Sequence, residues 1–417
     1  MCQKFTKLFL LKILKIKIFR LQNKMINSLQ GWEWKSLGEI FNIERGGSPR
    51  PIKEFLTDKE DGINWIKIGD IKNQKYLYKT EEKIIQEGLK KSKLVIEGDL
   101  LVSNSMSFGK PVIVKLQKGA IHDGWLLLKE KINLNKEYFY YLFSSNFMYN
   151  FLSYQASGST VKNLNIDKLK QIEIPLPPLK EQERIVGILD ESFAKIDESI
   201  KILEQDLLNL DELMQSALQK AFNPLKDNAK ENYKLPQSWE WKSLEEISEN
   251  ISAGGDKPKN CTESKTAKNQ IPVYANGVNN NGLVGYTDKA TIIKPSLTIS
   301  ARGTIGFVCI RKEPYFPIVR LISLIPCENI LCLHYLYFCL NFFIAKGEGS
   351  SIPQLTIPKF KSLQIPLPPL KEQEQIAEHL DFVFEKAKAL KELYTKELKD
   401  YEELKQSLLN KAFKGEL

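Results

Sequence analysis

The sequence predicts an α+β protein in which two β-rich domains are separated by a long antiparallel coiled coil formed by two helical repeats. Three observations lead there. The decapeptide IPLPPLKEQE occurs at 174–183 and again at 365–374, and both copies run without a gap to Lys-Ala-Phe, at 220–222 and 411–413, with about half of the 49 positions identical. The hexapeptide Trp-Glu-Trp-Lys-Ser-Leu opens at residue 32 and again at 239. Between each hexapeptide and the next decapeptide, short apolar runs alternate with Gly, Asn and Pro, which are strand and turn signals. The decapeptides are offset by 191 residues and the hexapeptides by 207, so the 16-residue difference between the halves lies in the globular parts. The expected boundaries are an N-terminal extension (1–29), a first β-rich domain (30–173), a first helical repeat (174–222), a linker (223–238), a second β-rich domain (239–364) and a second helical repeat (365–417).

The first 29 residues carry seven Lys/Arg and no acid, and their longest apolar run is the four residues Leu8–Leu11. A signal peptide needs ~7–15 apolar residues and a membrane span ~20, so neither fits. A basic amphipathic helix is compatible with the pattern. The reading adopted is an upstream extension with the functional start at Met25, because ordinary globular patterning begins at Trp32.

In the first domain INWIKIGDI (63–71) and LVIEGDLLVS (94–103) read as strands, with a helix over Lys136–Phe147. In the second, IPVYANG (271–277) and PSLTISARGTIGFVCI (295–310) read as strands, with a helix over Asn329–Phe343. Each repeat then begins with prolines that hold the chain extended. Pro177 disfavours a helical Leu176, so the helix starts just after the proline run. From there Leu189, Phe193, Ile196, Ile200, Leu203, Leu207, Leu210, Met214 and Ala217 form a heptad seam. The second copy repeats it with Leu380, Phe384, Ala387, Tyr394, Leu398, Tyr401, Leu408 and Ala412, interrupted by Lys391 and Lys405. A helix of ~44 residues is ~66 Å long and needs an equally long partner, which the matched copy supplies.

The formal charge is +9, yet the two helical blocks together carry −7. Positive charge is therefore concentrated on the globular parts and the N-terminal extension. The six cysteines include no C-x-x-C pair, and the only histidines are His122, His334 and His379, so neither a disulfide framework nor a zinc site is indicated. A reducing cytoplasm is the simplest compartment. No phosphate-binding Gly-rich loop or dinucleotide turn is present, and Asn223-Pro224-Leu225-Lys226 lacks the second proline and the aromatic that amino-methyltransferases use. What the globular parts do carry is basic, amide-rich loops. Arg, Lys, Asn and Gln can read base edges, while Lys, Ser and backbone N–H groups hold phosphates. The candidate DNA-binding residues are Arg45, Ser48, Arg50, Asn104, Lys110, Ser159, Lys162 and Asn163 in the first domain, and Lys257, Lys259, Asn279, Asn280, Arg302, Ser350 and Gln354 in the second.

The doubled IPLPPLKEQE at the head of a long helix, with Trp-Glu-Trp-Lys-Ser-Leu opening each globular part, resembles the specificity (S) subunit of Type I restriction-modification systems over residues 30–417. The resemblance extends to Gly46–Arg50 with Trp65-Ile66-Lys67-Ile68-Gly69-Asp70-Ile71, to Gly158-Ser159-Thr160-Val161, and to Gly349-Ser350-Ser351-Ile352-Pro353-Gln354. It implies two target recognition domains, each reading one half of a bipartite double-stranded DNA sequence. The helical repeats would set the spacing and dock two methyltransferase subunits. The chain itself would be non-catalytic and hold no cofactor or metal. S-adenosylmethionine, ATP and Mg²⁺ would come with the methyltransferase and the restriction/translocase subunits, and no membrane is involved. The residues alone leave two other readings open: a self-contained DNA methyltransferase or nuclease, and a coiled-coil structural adaptor.

Overall fold

The two repeated motifs of each half, far apart in sequence, meet as the two strands of one small ribbon. The computed structural model describes residues 31–71, 74–104, 109–156, 165–222, 238–344 and 355–417, so the N-terminal extension and Met25 lie outside the described residues. Glu33–Ser36 pairs antiparallel with Glu173–Leu176, placing Trp34 opposite Pro175. Glu240–Ser243 pairs in the same way with Gln364–Leu367, placing Trp241 opposite Pro366. A two-stranded ribbon tolerates proline because each strand has a free edge. The hexapeptide continues into a one-turn helix in each half, Leu37–Ile40 and Leu244–Ile247, closed by the reciprocal Ser36–Glu39 and Ser243–Glu246 capping boxes.

The chain divides into two compact units, Met1–Ile202 with Lys396–Leu417, and Leu203–Thr395. The first unit contains a five-stranded sheet in the order Phe41–Arg45, Trp125–Glu130, Leu100–Ser103, Pro111–Val114, Tyr76–Leu77. A four-stranded sheet in the order Glu82–Ile84, Ile63–Ile66, Lys118–Ile121, Lys93–Ile96 accompanies it. The expected strand region 94–103 is thus two strands, turned at Gly98 with φ +88°. The second unit has a four-stranded sheet, Ser248–Ala253, Ile322–Pro326, Ser296–Ile299, Val308–Arg311, and a three-stranded one, Leu283–Thr287, Ile271–Tyr274, Phe316–Pro317.

Two helix expectations need correction. The helix expected over Lys136–Phe147 ends at Ser144, and a second helix, Asn146–Ala156, follows at once. Ser145 divides them: its hydroxyl donates to the Leu142 carbonyl at 2.6 Å and accepts from the Met148 N–H at 3.1 Å, closing one helix and capping the next. The helix expected from Asn329 starts at Leu333, because Ile330 and Leu331 turn back onto the Cys327 carbonyl.

The long helices run Leu179–Phe222 and Leu370–Ala412, where the proline entry placed them. Their motif glutamine is a buried connector. In the first unit Gln182 accepts from the Asn135 N–H at 2.9 Å and donates to the Pro177 carbonyl at 2.9 Å. In the second, Gln373 accepts from the Cys332 N–H at 2.9 Å and donates to the Pro368 and Ile330 carbonyls at 2.8 and 2.9 Å. Both side chains satisfy backbone groups at a helix entrance that water does not reach. Tyr138 and Tyr335 donate to the Pro175 and Pro366 carbonyls at 3.0 and 2.6 Å, repeating the join.

Within each unit the start of one long helix lies beside the end of the other, so the pairing is antiparallel. In the first unit Ile185, Val186 and Leu189 share a core with Leu409, Ala412 and Phe413. In the second, Leu218 and Phe222 share one with Ala377 and Leu380. The closing Lys-Ala-Phe motif explains itself there: Phe413 stands edge-on to Tyr138 at 5.4 Å, and Phe222 stands edge-on to Tyr335 at 5.5 Å. The two seam lysines complete the pairing rather than interrupting it, since Lys405 meets Asp197 at 2.5 Å in the first unit and Lys391 pairs with Asp211 in the second. Changing Phe413 to Ala should destabilise the first unit by ~3–5 kcal/mol, the range for a fully buried phenylalanine, whereas Phe382→Ala at an exposed position of the helix that leads to it should stay within ~0.5 kcal/mol. Hydrogen exchange across Lys136–Ser144 reads the difference, and equal protection in both variants would remove Phe413 from the first unit's core.

Candidate nucleic-acid interface

In the first unit the loop after strand Phe41–Arg45 lies against the tight turn His122–Trp125. Gly46 N–H donates to the Trp125 carbonyl at 3.0 Å and Gly47 N–H to the Ile121 carbonyl at 3.1 Å. A Cβ on Gly46 would lie 2.2 Å from the His122 carbonyl oxygen, so the backbones meet only because the residue is glycine. Asp123, at the tip of the turn, gathers the basic loop: Ser48 Oγ donates to its Oδ1 at 2.8 Å, Arg45 Nε donates to its carbonyl at 3.0 Å, and Arg50 Nη2 lies 3.8 Å from its Oδ2. Burial opposes ionisation of Asp123, but the Ser48 hydroxyl, His122 and Arg45 outweigh it and hold the carboxyl below its ordinary range. Arg50, 82% exposed, and Lys67 border a cleft of about 900 Å³ floored by Trp65 and His122. Three of the candidates, Arg45, Ser48 and Arg50, therefore come together.

Two others stand apart. Asn104 is fully buried; its N–H donates to the Gly124 carbonyl at 2.7 Å, and its side-chain amide has no partner among the described residues. It follows the core strand Leu100–Ser103 beneath the turn, so it presents nothing to a groove. Lys110 is exposed but lines a different cleft of about 610 Å³ with Tyr140, Phe143 and Lys405.

The second unit repeats the platform with other side chains. Gly254 N–H donates to the Leu321 carbonyl at 2.8 Å, as Gly46 does to Trp125, and Leu321 N–H closes the turn on the Ile318 carbonyl at 3.1 Å, as Trp125 does on His122. The strand-end loops match as well: Gly109 N–H returns to the Ser103 carbonyl at 2.7 Å, and Gly306 N–H to the Ser300 carbonyl at 3.0 Å. Asn276 ties three loops, since its Oδ1 accepts from Ala301 N–H at 2.8 Å and its Nδ2 donates to the Val319 carbonyl at 2.6 Å. Arg311 fixes the far side of Asn276's own loop, with its guanidinium 3.5 Å from the Tyr274 ring centroid and Nη2 donating to the Asn281 carbonyl at 2.6 Å. That contact holds Asn280 and Asn281 at φ 48° and 52°, a conformation asparagine tolerates. Asn279, Asn280 and Arg302 are exposed on these loops, and Lys257 and Lys259 are exposed on the loop that begins at Gly254. The candidates Ser159, Lys162, Asn163, Ser350 and Gln354 lie outside the described residues.

This duplicated arrangement coincides with a duplicated family match. The sequence model of the Type I restriction modification DNA specificity domain matches residues 30–207 and again 236–399. The chain belongs to that family. A protein of Mycoplasma pneumoniae provisionally named a type I specificity subunit is 34% identical over 230 residues, covering 54% of this chain and 58% of that protein's length. The type I restriction enzyme MjaIX specificity subunit of Methanocaldococcus jannaschii is 24% identical over 394 residues, 85% of this chain and 87% of that one. The fold is that of a chain in a solved structure of a type I R-M system, with a TM-score of 0.77, 21% identity, and coverage of 93% of this chain and 99% of the other. No helix among the described residues is long and apolar enough to cross a membrane.

Sequence reasoning missed the residues that organise these two specificity domains. Asp123 and His122 lie in a loop without basic or amide-rich character, and Val319-Arg320 interrupts an apolar run, PIVRLISL, that carries no turn signal. Asn276 precedes Gly277, a signal that marks a turn but not its role as a tie.

His122 supplies a pH dependence. Two backbone N–H groups face its ring, Ile68 at 3.1 Å from Nε2 and Gly124 at 2.7 Å from Nδ1. The neutral imidazole accepts from one of them and the imidazolium from neither. Burial lowers its pKa below the ordinary value, against the opposing pull of Asp123. The folded pKa thus lies below the unfolded one, so this contribution to stability is complete above pH ~6.5 and is lost as pH falls through the folded value. Between pH 7.5 and 5.5 the wild-type first unit should lose more thermal stability than His122→Asn. Parallel losses would mean that the imidazole is not the titrating group.

Proposed function

We propose that the chain is the non-catalytic, sequence-specific DNA-binding subunit of a Type I restriction-modification complex, each specificity domain reading one half of a bipartite target. The observation that carries this is the repeated loop platform. The same glycine contact and the same closing hydrogen bond recur in both units, while the side chains they present differ: Arg45, Ser48 and Arg50 around Asp123 in one, and Asn279, Asn280 and Arg302 with exposed lysines in the other. One scaffold carrying two sets of polar side chains suits the reading of two different half-sites.

The helical repeats set the half-site spacing and dock methyltransferase subunits, two of them in this reading. Outward helix positions support a protein partner there, since Leu208, Leu213, Phe382 and Leu393 of the second unit are 59, 52, 60 and 55% exposed. The partners bring S-adenosylmethionine, ATP and Mg²⁺, in the cytoplasm.

Binding to random duplex should fall steeply with salt, and Lys257→Ala or Lys259→Ala should reduce the slope of log affinity against log salt by about one if the side chain meets a phosphate. Salt-independent binding would favour the adaptor reading. Exchanging 239–364 for the second domain of another family member should change one half of the recognised sequence and leave the other intact. Change in both halves, or in neither, would reject independent reading.

A further inference from the structure

The turn that closes each platform differs between the domains. In the first, the central residues are Asp123 and Gly124, neither with positive φ, and Asp123 is engaged with Ser48 and Arg45. In the second they are Val319 and Arg320, at φ 53° and 60°. Two consecutive left-handed residues make a turn of the type that glycine, asparagine and aspartate normally occupy, and a β-branched valine there is an outlier. The surroundings over-determine it. Val319 N–H donates to the Gly255 carbonyl and Arg320 N–H to the Gly254 carbonyl, each at 2.8 Å, while Asn276 Nδ2 holds the Val319 carbonyl at 2.6 Å. A Cβ on Gly254 would lie 2.6 Å from the Ile318 nitrogen, so the two backbones come close enough for these bonds only because the residue is glycine.

The strained turn turns two side chains outward. Val319 is 52% exposed, Arg320 is exposed, and the Arg320 guanidinium has no hydrogen-bond or ion-pair partner among the described residues. Through Asn276 the turn is tied to the loop carrying Arg302, and it adjoins the loop carrying Lys257 and Lys259. A phosphate contact needs charge alone, which lysines on an exposed loop supply. A fixed backbone bearing an unpaired planar fork suits directional recognition, and an arginine fork matches the O6 and N7 acceptors of guanine.

We propose that Arg320 is a base-reading, specificity-determining residue of the second domain, that it recognises a guanine in the major groove, and that Asn276 positions its turn. This rests on the DNA-binding function proposed above. The test is selection of the purified full chain, wild type and variants, on random duplex, followed by salt titration on the selected sequence. In Arg320→Ala and Arg320→Lys one G·C position in one half-site should lose about 5- to 150-fold of its discrimination, with the other half unchanged. Arg320→Lys should keep the wild-type salt slope. Val319→Asn, compatible with the left-handed turn, should keep the motif. A motif unaltered in both arginine variants overturns the proposal. So does an even loss across all sequences with a shallower salt slope, which is the signature of a phosphate contact. A wild-type chain that selects no motif overturns the proposed function, and this inference with it.

Discussion

The join between each globular domain and its long helix is the constraint on which the rest of the structure depends. It consists of one ribbon, one glutamine and one tyrosine per half. Because Glu33–Ser36 must pair with Glu173–Leu176, the chain between them has to leave and return to the same place, which closes the domain. The glutamine then links the helix entrance to the backbone of the domain's own helix, through Asn135 in one unit and Cys332 in the other. A buried amide whose oxygen and nitrogen are both hydrogen-bonded tolerates little displacement, since each lost bond leaves an unsatisfied group costing ~1–3 kcal/mol. The helix direction relative to the sheet within each unit is set there.

The far ends of the helices use the same economy. Each Lys-Ala-Phe ends one helix, and its phenylalanine packs on the tyrosine that also donates to the proline-strand carbonyl. Tyr138 and Tyr335 therefore touch both the strand that leads into the helix beginning in their unit and the phenylalanine that closes the one ending in it. The seam lysines fit the same scheme, because a long amphipathic stem lies along the apolar stripe while its ammonium reaches an acid on the other helix. Such exposed pairs add little stability, but they disfavour a seam shifted in register.

The platform shows how one backbone arrangement can carry different chemistry. Gly46 and Gly254 admit the same close approach, and each donates to the residue whose own N–H closes the facing turn. What changes is the tip of the turn. In the first domain the tip residue Asp123 ties Ser48 and Arg45 to the turn, whereas in the second an arginine is held outward by a turn its sequence does not favour.

Much of the fold was legible in the sequence because the signals were local or repeated. The proline entry marked the helix starts at Leu179 and Leu370, heptad spacing marked the apolar seam in which Leu189, Ile196, Leu203 and Leu210 are buried, and alternating apolar runs marked the strands at 63–66, 271–274 and 296–299. The glycine loops at Gly46 and Gly254 were likewise visible, since closely approaching backbones leave their mark as glycine. Ser145 went unread as a boundary because a serine inside an apolar helical pattern signals a break only when its hydroxyl finds the right backbone partners. Only the tertiary structure decided that Asn104 is buried while Arg50 is exposed, that Lys391 and Lys405 belong to the helix pairing, and that Asp123, Asn276 and Arg320 sit at the platform. The reason is physical. Period and punctuation are written into neighbouring residues, whereas the surroundings of a loop side chain are set by segments that arrive from elsewhere in the chain, and no spacing within the loop records which of them will be there.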